Sequence, residues 1–406
     1  MIRLRSPEST RRGTPAGGPE QTGAIVIGGD YQGLGIVRSL GRRGIPVCVI
    51  DDEASIARAS RFSKRAVHVP NLRDEPSTLE TLDAVRRAHG LEGWVLFPTR
   101  EETVVALARN RSSLARSFRV PTPDWDTIRH AWDKRETYRL ARELGISTPR
   151  TWSPCEEREL DHLDTRRPVV IKPAIKEHFF YATHAKAWRA DTAGDLRRLL
   201  QRASSIVDVE ELLIQELIPG NGHQQYSYCA FFKDGEAVAS MTVRRRRQHP
   251  SDFGRASTFV ETVELGALEE PSVRFLRAIG YYGLVELEYK LDPRDGQYKL
   301  LDVNARTWGY HSVGPAAGVD FPYLLFCDQL GDEIPRARGR PGVRWVRLVT
   351  DVPNALVDMR ARRVRPREYL ASLRGVDTEA VFSARDPLPG IYELALLPYL
   401  FFKRGL

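Results

Sequence analysis

Leu284–Leu291 reads LVELEYKL and Gln297–Asn304 reads QYKLLDVN, with Asp295-Gly296 between them. Asp-Gly between two alternating runs is a hairpin signal. In a strand alternate residues share a face. Glu286 and Glu288 therefore share one face of the first strand, and Asp302 and Asn304 share one face of the second. The turn sets Glu288 opposite Asp302 and Glu286 opposite Asn304, to within about one residue of register. Val285, Leu287, Tyr289, Leu301 and Val303 then fall on the other face, the one expected to pack on a core. Like charges across a strand pair destabilise it. A hard divalent cation removes that cost, and Mg²⁺ combines one or two carboxylates with phosphate oxygens. The plain alternative is an acidic face in water, with Lys290 on the same side. Arg306, two residues past Asn304, favours the first reading, because a cation there can hold a phosphate.

Upstream the texture differs. Ala24–Gly28 (AIVIG), Pro46–Asp51 (PVCVID), Ala66–Pro70 and Trp94–Pro98 (WVLFP) are short apolar runs with helical stretches between them. Strands alternating with helices predict a parallel, doubly wound sheet, here to about residue 125. Gly28, Gly29, Gly33 and Gly35 follow the first strand, but their spacing is not GxGxxG, so a dinucleotide fingerprint is poorly met. Asp133–Gly145 predicts an amphipathic helix capped by Asp133. From Pro168 the pattern becomes α+β. Pro168–Pro173 (PVVIKP), Leu212–Ile218 (LLIQELI), Gln224–Phe232 and Ala237–Arg245 read as strands, Leu196–Ser204 and Val273–Gly280 as helices.

Three features on these elements suit a nucleotide. Lys172 interrupts an apolar strand, where a lysine is rarely buried without a partner; it is either a phosphate contact or on an edge facing water. Lys134 opens a helix, where free N–H groups favour anions; otherwise it is a solvated first-turn residue. Gln215, Glu216, Leu217 and Ile218 run into Pro219-Gly220, a strand-to-turn hinge whose backbone can meet an adenine edge, or a simple strand end.

The 406 residues carry 61 Lys+Arg against 53 Asp+Glu, a net charge of +8. The arginines are spread along the chain, so nucleic acid is not the expected partner. Cys48, Cys155, Cys229 and Cys327 form no CxxC pair and fit a reducing compartment better than a disulfide framework. Residues 1–22 lack a signal peptide's apolar core and read as a disordered tail. No run approaches the ~20 apolar residues of a membrane span. Two arginine-rich patches (Arg336–Arg347, Arg360–Arg367) precede the ending IYELALLPYLFFKRGL. That ending is either a membrane-surface helix beside basic residues or a segment packed on the protein, and Pro398 favours packing.

In order and spacing these motifs resemble the ATP-grasp superfamily, in particular its carboxylate–amine ligases and carbamoyl-phosphate-synthetase-like members. The resemblance covers about Ile25 to Phe326 and rests on IGGDYQGLG, DK at Asp133-Lys134, IKP at Ile171–Pro173, QELIPG at Gln215–Gly220, VELEYK at Val285–Lys290 and LLDVNAR at Leu300–Arg306. It implies an α/β Rossmann-like pre-ATP-grasp domain (23–125), then an α+β ATP-grasp domain (126–335) whose two subdomains clamp ATP, with a lid at about 150–218. A basic extension (336–406) follows. It further implies ATP and Mg²⁺ as cofactors, with two ions and Mn²⁺ as an alternative. Lys134 and Lys172 would contact phosphates, Gln215–Ile218 the adenine, and Glu288, Asp302 and Asn304 the metal. Arg306 would stabilise the transferring phosphate or the acyl-phosphate oxygens, and Arg247, in the run Arg244–Arg247, resembles a basic site near the γ-phosphate or a substrate carboxylate. The flap Lys176–Trp188 (KEHFFYATHAKAW) departs from the glycine-rich pattern, so it is expected to be stiffer, aromatic or substrate-contacting, with Lys186 taking a phosphate role. The implied activity is a cytoplasmic ligase, a homodimer by default, joining a small carboxylate to an amine through an acyl phosphate. A nucleotide-binding protein without ligase activity, or an NAD(P)-dependent oxidoreductase using Asp51, are the alternatives.

Overall fold

The computed structural model describes residues 21–154, 167–220, 222–249 and 256–404. The expected tail, apart from its last two residues, and Cys155 lie outside them. Strands β1 (Ala24–Ile27), β2 (Val47–Asp51), β3 (Arg65–His68) and β4 (Val95–Pro98) form a parallel sheet in the order β3-β2-β1-β4. β1, β2 and β4 are buried throughout, which is why they read as unbroken apolar runs. Gly28 closes β1 at φ +93°, and a Cβ there would meet the Thr99 hydroxyl. Its conformation is therefore needed for the chain's own packing.

A small antiparallel sheet holds β5 (Thr151–Trp152), β6 (Val169–Pro173), β7 (Trp188–Ala190) and β8 (Leu212–Glu216) in the order β5-β8-β6-β7. A larger sheet faces it across a cleft. Its strands are β9 (Gln225–Lys233), β10 (Glu236–His249), β11 (Ala256–Val263), β12 (Gly283–Leu291), β13 (Tyr298–Asn304), β14 (Ala337–Arg338), β15 (Arg344–Val346) and β16 (Thr378–Glu379). The order is β13-β12-β9-β10-β11-β15-β16, with β14 beside β10. Residues after 336 thus add strands to this sheet. They also reach the N-terminal unit: the Arg38 guanidinium, on the Tyr31–Gly41 helix, is buried against Asp386 (2.9 Å) and the carbonyls of Ala380 and Val381.

The hairpin forms as read. Glu286 pairs with Asn304 and Glu288 with Asp302. One detail differs. A β-bulge follows, so Tyr289 pairs with Leu300, and Leu301 is the extra residue. Leu300, with Val285, Leu287, Tyr289 and Val303, fills the core, while Leu301 turns to the cleft. A bulge inserts one residue and re-aims its side chain. The Asp133-capped helix runs Lys134–Glu143. The flap is a short helix, Lys176–Thr183, ended by His184 in the left-handed conformation. Among the described residues no helix is long and apolar enough to cross a membrane, and Cys48, Cys229 and Cys327 are free thiols.

Candidate active site

The cleft between the small and large sheets gathers most of the expected residues. Lys134, Lys172, Lys186, Gln215, Glu216, Leu217, Ile218, Glu288 and Asp302 all line it. Lys134 arrives from its helix N-terminus, Lys172 from the centre of β6, and the two carboxylates from the facing β12–β13 hairpin. The Lys134 Nζ donates to Asp302 at 2.9 Å. Lys172 donates to the Tyr138 hydroxyl at 2.5 Å, and that hydroxyl donates to the Leu301 carbonyl at 2.7 Å. Glu288 accepts from Asn304 (3.0 Å) and Arg245 (3.1 Å). Asn304 also donates to the deeper Glu286 at 3.1 Å, and Tyr310 donates to Glu286 as well.

The charges are unequally satisfied. Burial penalises the Asp302 carboxylate, but Lys134, Lys172 and Lys186 outweigh it and hold its pKa down at about 2. Burial likewise opposes the charge on Lys134, and Asp302 more than restores it. Lys172 has no carboxylate bonded to it. Burial, then repulsion from Lys134, pushes it down to about 7. Burial pushes Lys186 to about 8, against the pull of Glu288. Burial and the neighbouring Glu288 raise Glu286, whereas Arg245 and Lys186 overcome burial and lower Glu288.

The hinge carries its own signature. The Glu216 side chain is held by Arg294 (2.9 Å), Lys299 (3.2 Å) and the Arg150 N–H (2.9 Å). The Gln215 amide is spent on Thr151 (2.8 Å). The Ile218 carbonyl accepts from Lys290 at 2.8 Å. No bond from the buried Ile218 N–H occurs among the described residues. Buried N–H groups rarely stay unpaired, so that donor suits an acceptor on a bound adenine edge.

Two expected residues stand elsewhere. Arg306 lies one cavity further on, bonded to Glu101 at 2.8 Å, in a chamber of about 230 Å³ that shares Lys176 and Lys186 with the cleft. Arg247 is not brought to the cleft. It grips Asp351 (2.7 Å) and Ser372 (2.8 Å) and lies over the Phe259 ring at 4.4 Å. Arg245 faces the cleft instead. Residues 245 and 247 would share a face in a regular strand, but the β10–β11 pairing is irregular between them. No sequence signal marks that irregularity, and Arg245 was missed for this reason.

The small chamber shares Asp30, Arg100, Glu102, Glu177, Phe180 and Tyr181 with a larger cavity of about 1000 Å³. The flap helix forms part of their common wall. Tyr181 donates to Glu102, and the Arg73 guanidinium lies 4.6 Å from the Tyr181 ring. The cleft, chamber and cavity are connected from the β12–β13 hairpin to the N-terminal sheet. On that sheet the dinucleotide alternative finds no open cradle. The Gly29 N–H is taken by Asp51 at 2.6 Å, and Arg100 bridges Asp51 and Asp52 at 2.6 and 2.5 Å.

The donors fit a magnesium–nucleotide complex. Among the described residues no three acidic, histidine or cysteine side chains form a ready-made metal site. Glu288 and Asp302 supply two carboxylates and Asn304 an amide oxygen. Mg²⁺ ordinarily completes such a set with phosphate and water.

Comparison with known proteins agrees with this geometry. The sequence model of one family, the carbamoyl-phosphate synthase L chain ATP-binding domain, matches residues 232–324. The D-aspartate ligase of Enterococcus faecium is 22% identical over 298 residues, 70% of this chain and 70% of that protein. The carbamoyl phosphate synthase large chain of Thermomicrobium roseum is 22% identical over 335 residues, 77% of this chain but 30% of that protein. The L-amino acid ligase structure from Bacillus licheniformis superposes with a TM-score of 0.59 at 16% identity, covering 76% of this chain and 74% of that one. The biotin carboxylase domain of the Hydrogenobacter thermophilus 2-oxoglutarate carboxylase, solved with MgADP and bicarbonate, gives 0.63 at 14% identity, covering 80% and 74%. The resemblance to the ATP-grasp superfamily read from the sequence is borne out.

Proposed function

We propose that this ATP-grasp chain is an ATP-dependent ligase that activates a substrate carboxylate as an acyl phosphate and passes it to an amine. The observation that carries this reading is the surplus of cations, the buried Lys172 and Arg245 and the half-buried Lys134 and Lys186, around the registered pair Glu288–Asp302. Such a surplus suits a polyanion, and the free hinge N–H of Ile218 supports an adenine at one end of it.

Held by Glu288, Asp302 and Asn304, Mg²⁺ would screen phosphate charge; two ions are expected, and Mn²⁺ would substitute. The lysines and Arg245 neutralise the phosphate chain, so catalysis is positioning plus electrostatics. A substrate carboxylate oxygen, steadied by Arg306 in the adjoining chamber, attacks the γ-phosphorus as ADP departs. The amine then attacks the acyl carbon, inorganic phosphate leaves, and the amine's extra proton passes to solvent. The flap helix keeps water from the acyl phosphate. We assign the substrates to the chamber and the larger cavity, and Arg245 the role expected of Arg247.

The proposed organisation is a Rossmann-like unit (23–125), an ATP-grasp unit (126–335) with its lid at about 150–218, and an extension (336–406) that completes the large sheet. The reaction's need for ATP assigns it to the cytoplasm. Thermal unfolding tests the site first. A Mg–ATP analogue far above its dissociation constant should stabilise by a few kcal/mol, and ADP release should then require both a carboxylate and an amine. Stabilisation by NAD(P)⁺ alone, or by no nucleotide, overturns the reading. ADP release independent of both substrates returns it to a nucleotide-binding protein.

A further inference from the structure

The C-terminal helices carry a surface that the cleft does not explain. On the Leu348–Arg360 helix, Leu356 and Val357 are 56% and 60% exposed, and Leu370 on the Pro366–Leu373 helix is 60% exposed. Between them, Arg360, Arg362, Arg363, Arg365 and Arg367 are all exposed. Among the described residues, Asp358, 3.2 Å from Arg363, and Glu368, 3.9 Å from Arg365, pair with them. The next helix, Leu388–Arg404, repeats the apolar half of this pattern. It exposes Leu388, Ile391 and Leu394, while its one acid, Glu393, turns inward to Arg347 at 2.6 Å.

We propose that this surface docks on an anionic phospholipid bilayer, with the aliphatic side chains entering the acyl boundary and the arginines meeting the headgroups. Exposed apolar side chains beside a dense basic run are what an interfacial helix presents. A second copy of the chain would bring this arginine-rich patch against itself across a two-fold contact, with Asp358 and Glu368 as the acids within the patch to answer five arginines. Nucleic acid would satisfy the arginines but leave Leu356, Val357 and Leu370 without an apolar partner, and the exposed part of this stretch offers no aromatic ring for a base to stack on.

Vesicle co-sedimentation of the full chain tests the proposal. Vesicles of phosphatidylglycerol mixed equally with phosphatidylcholine should carry the protein down, and phosphatidylcholine alone should not. Leu356→Glu/Val357→Glu should abolish binding at unchanged melting temperature and unchanged nucleotide binding, since both side chains are on the surface and far from the cleft in sequence. Arg362→Gln/Arg363→Gln should weaken binding by roughly 30-fold, each basic residue near an anionic surface contributing roughly a fivefold factor. Wild-type protein left in the supernatant with anionic vesicles overturns the proposal. So does equal binding to neutral vesicles, or a dimer that the Leu356/Val357 variant dissociates while lipid binding is absent.

Discussion

Two clusters of charge sit at opposite ends of the connected cleft, chamber and cavity, and their chemistry differs. At the edge of the N-terminal sheet, Asp51, Asp52 and Glu53 face Arg100 and Arg73. Backbone N–H groups of Gly29 and Glu53 complete the bonding of Asp51. Arginine keeps its charge, and each acid there has a bonded partner. In the cleft the cations are mostly lysines, they outnumber the bonded carboxylates, and burial, then repulsion from Lys134, drives Lys172 down to about 7. The first cluster is closed on itself and supports the fold. The second carries more cations than bonded carboxylates, which supports the polyphosphate proposed for it. Counting charged residues would not separate the two; asking which of them lacks a bonded counter-ion does.

Substitution should separate them further. In the cleft, Asp302→Ala or Glu288→Ala should lower the rate of ADP release by about a thousandfold, as loss of a preorganised electrostatic contact does, and should remove the thermal shift with the Mg–ATP analogue. Asp51→Ala at the other cluster should instead cost about 3 kcal/mol of stability, because it leaves Arg100 partly unpaired in the interior, while nucleotide still stabilises what folds. If the Asp51 variant loses nucleotide binding at full stability, the contrast drawn between the clusters is wrong.

The arginine pair on β10 gives the next largest effect. Arg245→Ala should lower kcat/KM by about a hundredfold, with folding retained. Arg247→Ala should leave kcat within about threefold while melting early, because Asp351 loses its buried partner. Equal losses of activity in both variants would place the two side chains on one site.

Proton uptake sharpens the comparison without touching the fold. Phosphate beside Lys172 should restore its pKa from about 7 toward its ordinary value. Between those values binding takes up a proton, so affinity should fall as pH rises above 7, by up to about tenfold per pH unit. Ligand-free stability should move the other way. The unfolded chain holds the Lys172 proton more tightly than the folded one, so the penalty is full below about pH 7 and fades as pH climbs toward the unfolded value. Calorimetry in two buffers of different ionisation enthalpy should report the uptake, and Lys172→Met should reduce it to the smaller share that Lys186, lowered to about 8, supplies. Tyr181→Phe should do least: loss of one bond to Glu102 should raise KM about fivefold at most and leave kcat alone.

What could be read from the sequence, and what could not, follows physical lines. The β12–β13 register was legible because period-two alternation and a tight turn leave few ways to align two strands. Lys134 and Lys172 were legible from their places on an amphipathic helix and an apolar strand. The two bulges were not, since one extra residue changes no pattern of apolar and polar types, and each moved a side chain: Leu301 into the cleft, Arg245 in place of Arg247. The two- and three-residue strands β5, β7, β14, β15 and β16 are too short for any periodicity. The flap's departure from glycine was visible, but its helix and the Tyr181–Glu102 contact depend on tertiary neighbours. The charge surplus that defines the site required coordinates, because burial decides which lysines titrate low.

The bond between Arg38 and Asp386 carries a consequence of timing. The two residues are 348 positions apart, and chains are made at roughly 5–20 residues per second. Roughly 20–70 s therefore separate the emergence of the guanidinium from that of its carboxylate. Throughout that interval the first helix must shelter a cation meant for the interior. The N-terminal unit is therefore expected to wait on the ribosome in a loosened state and to lock only when the last strands of the large sheet are in place.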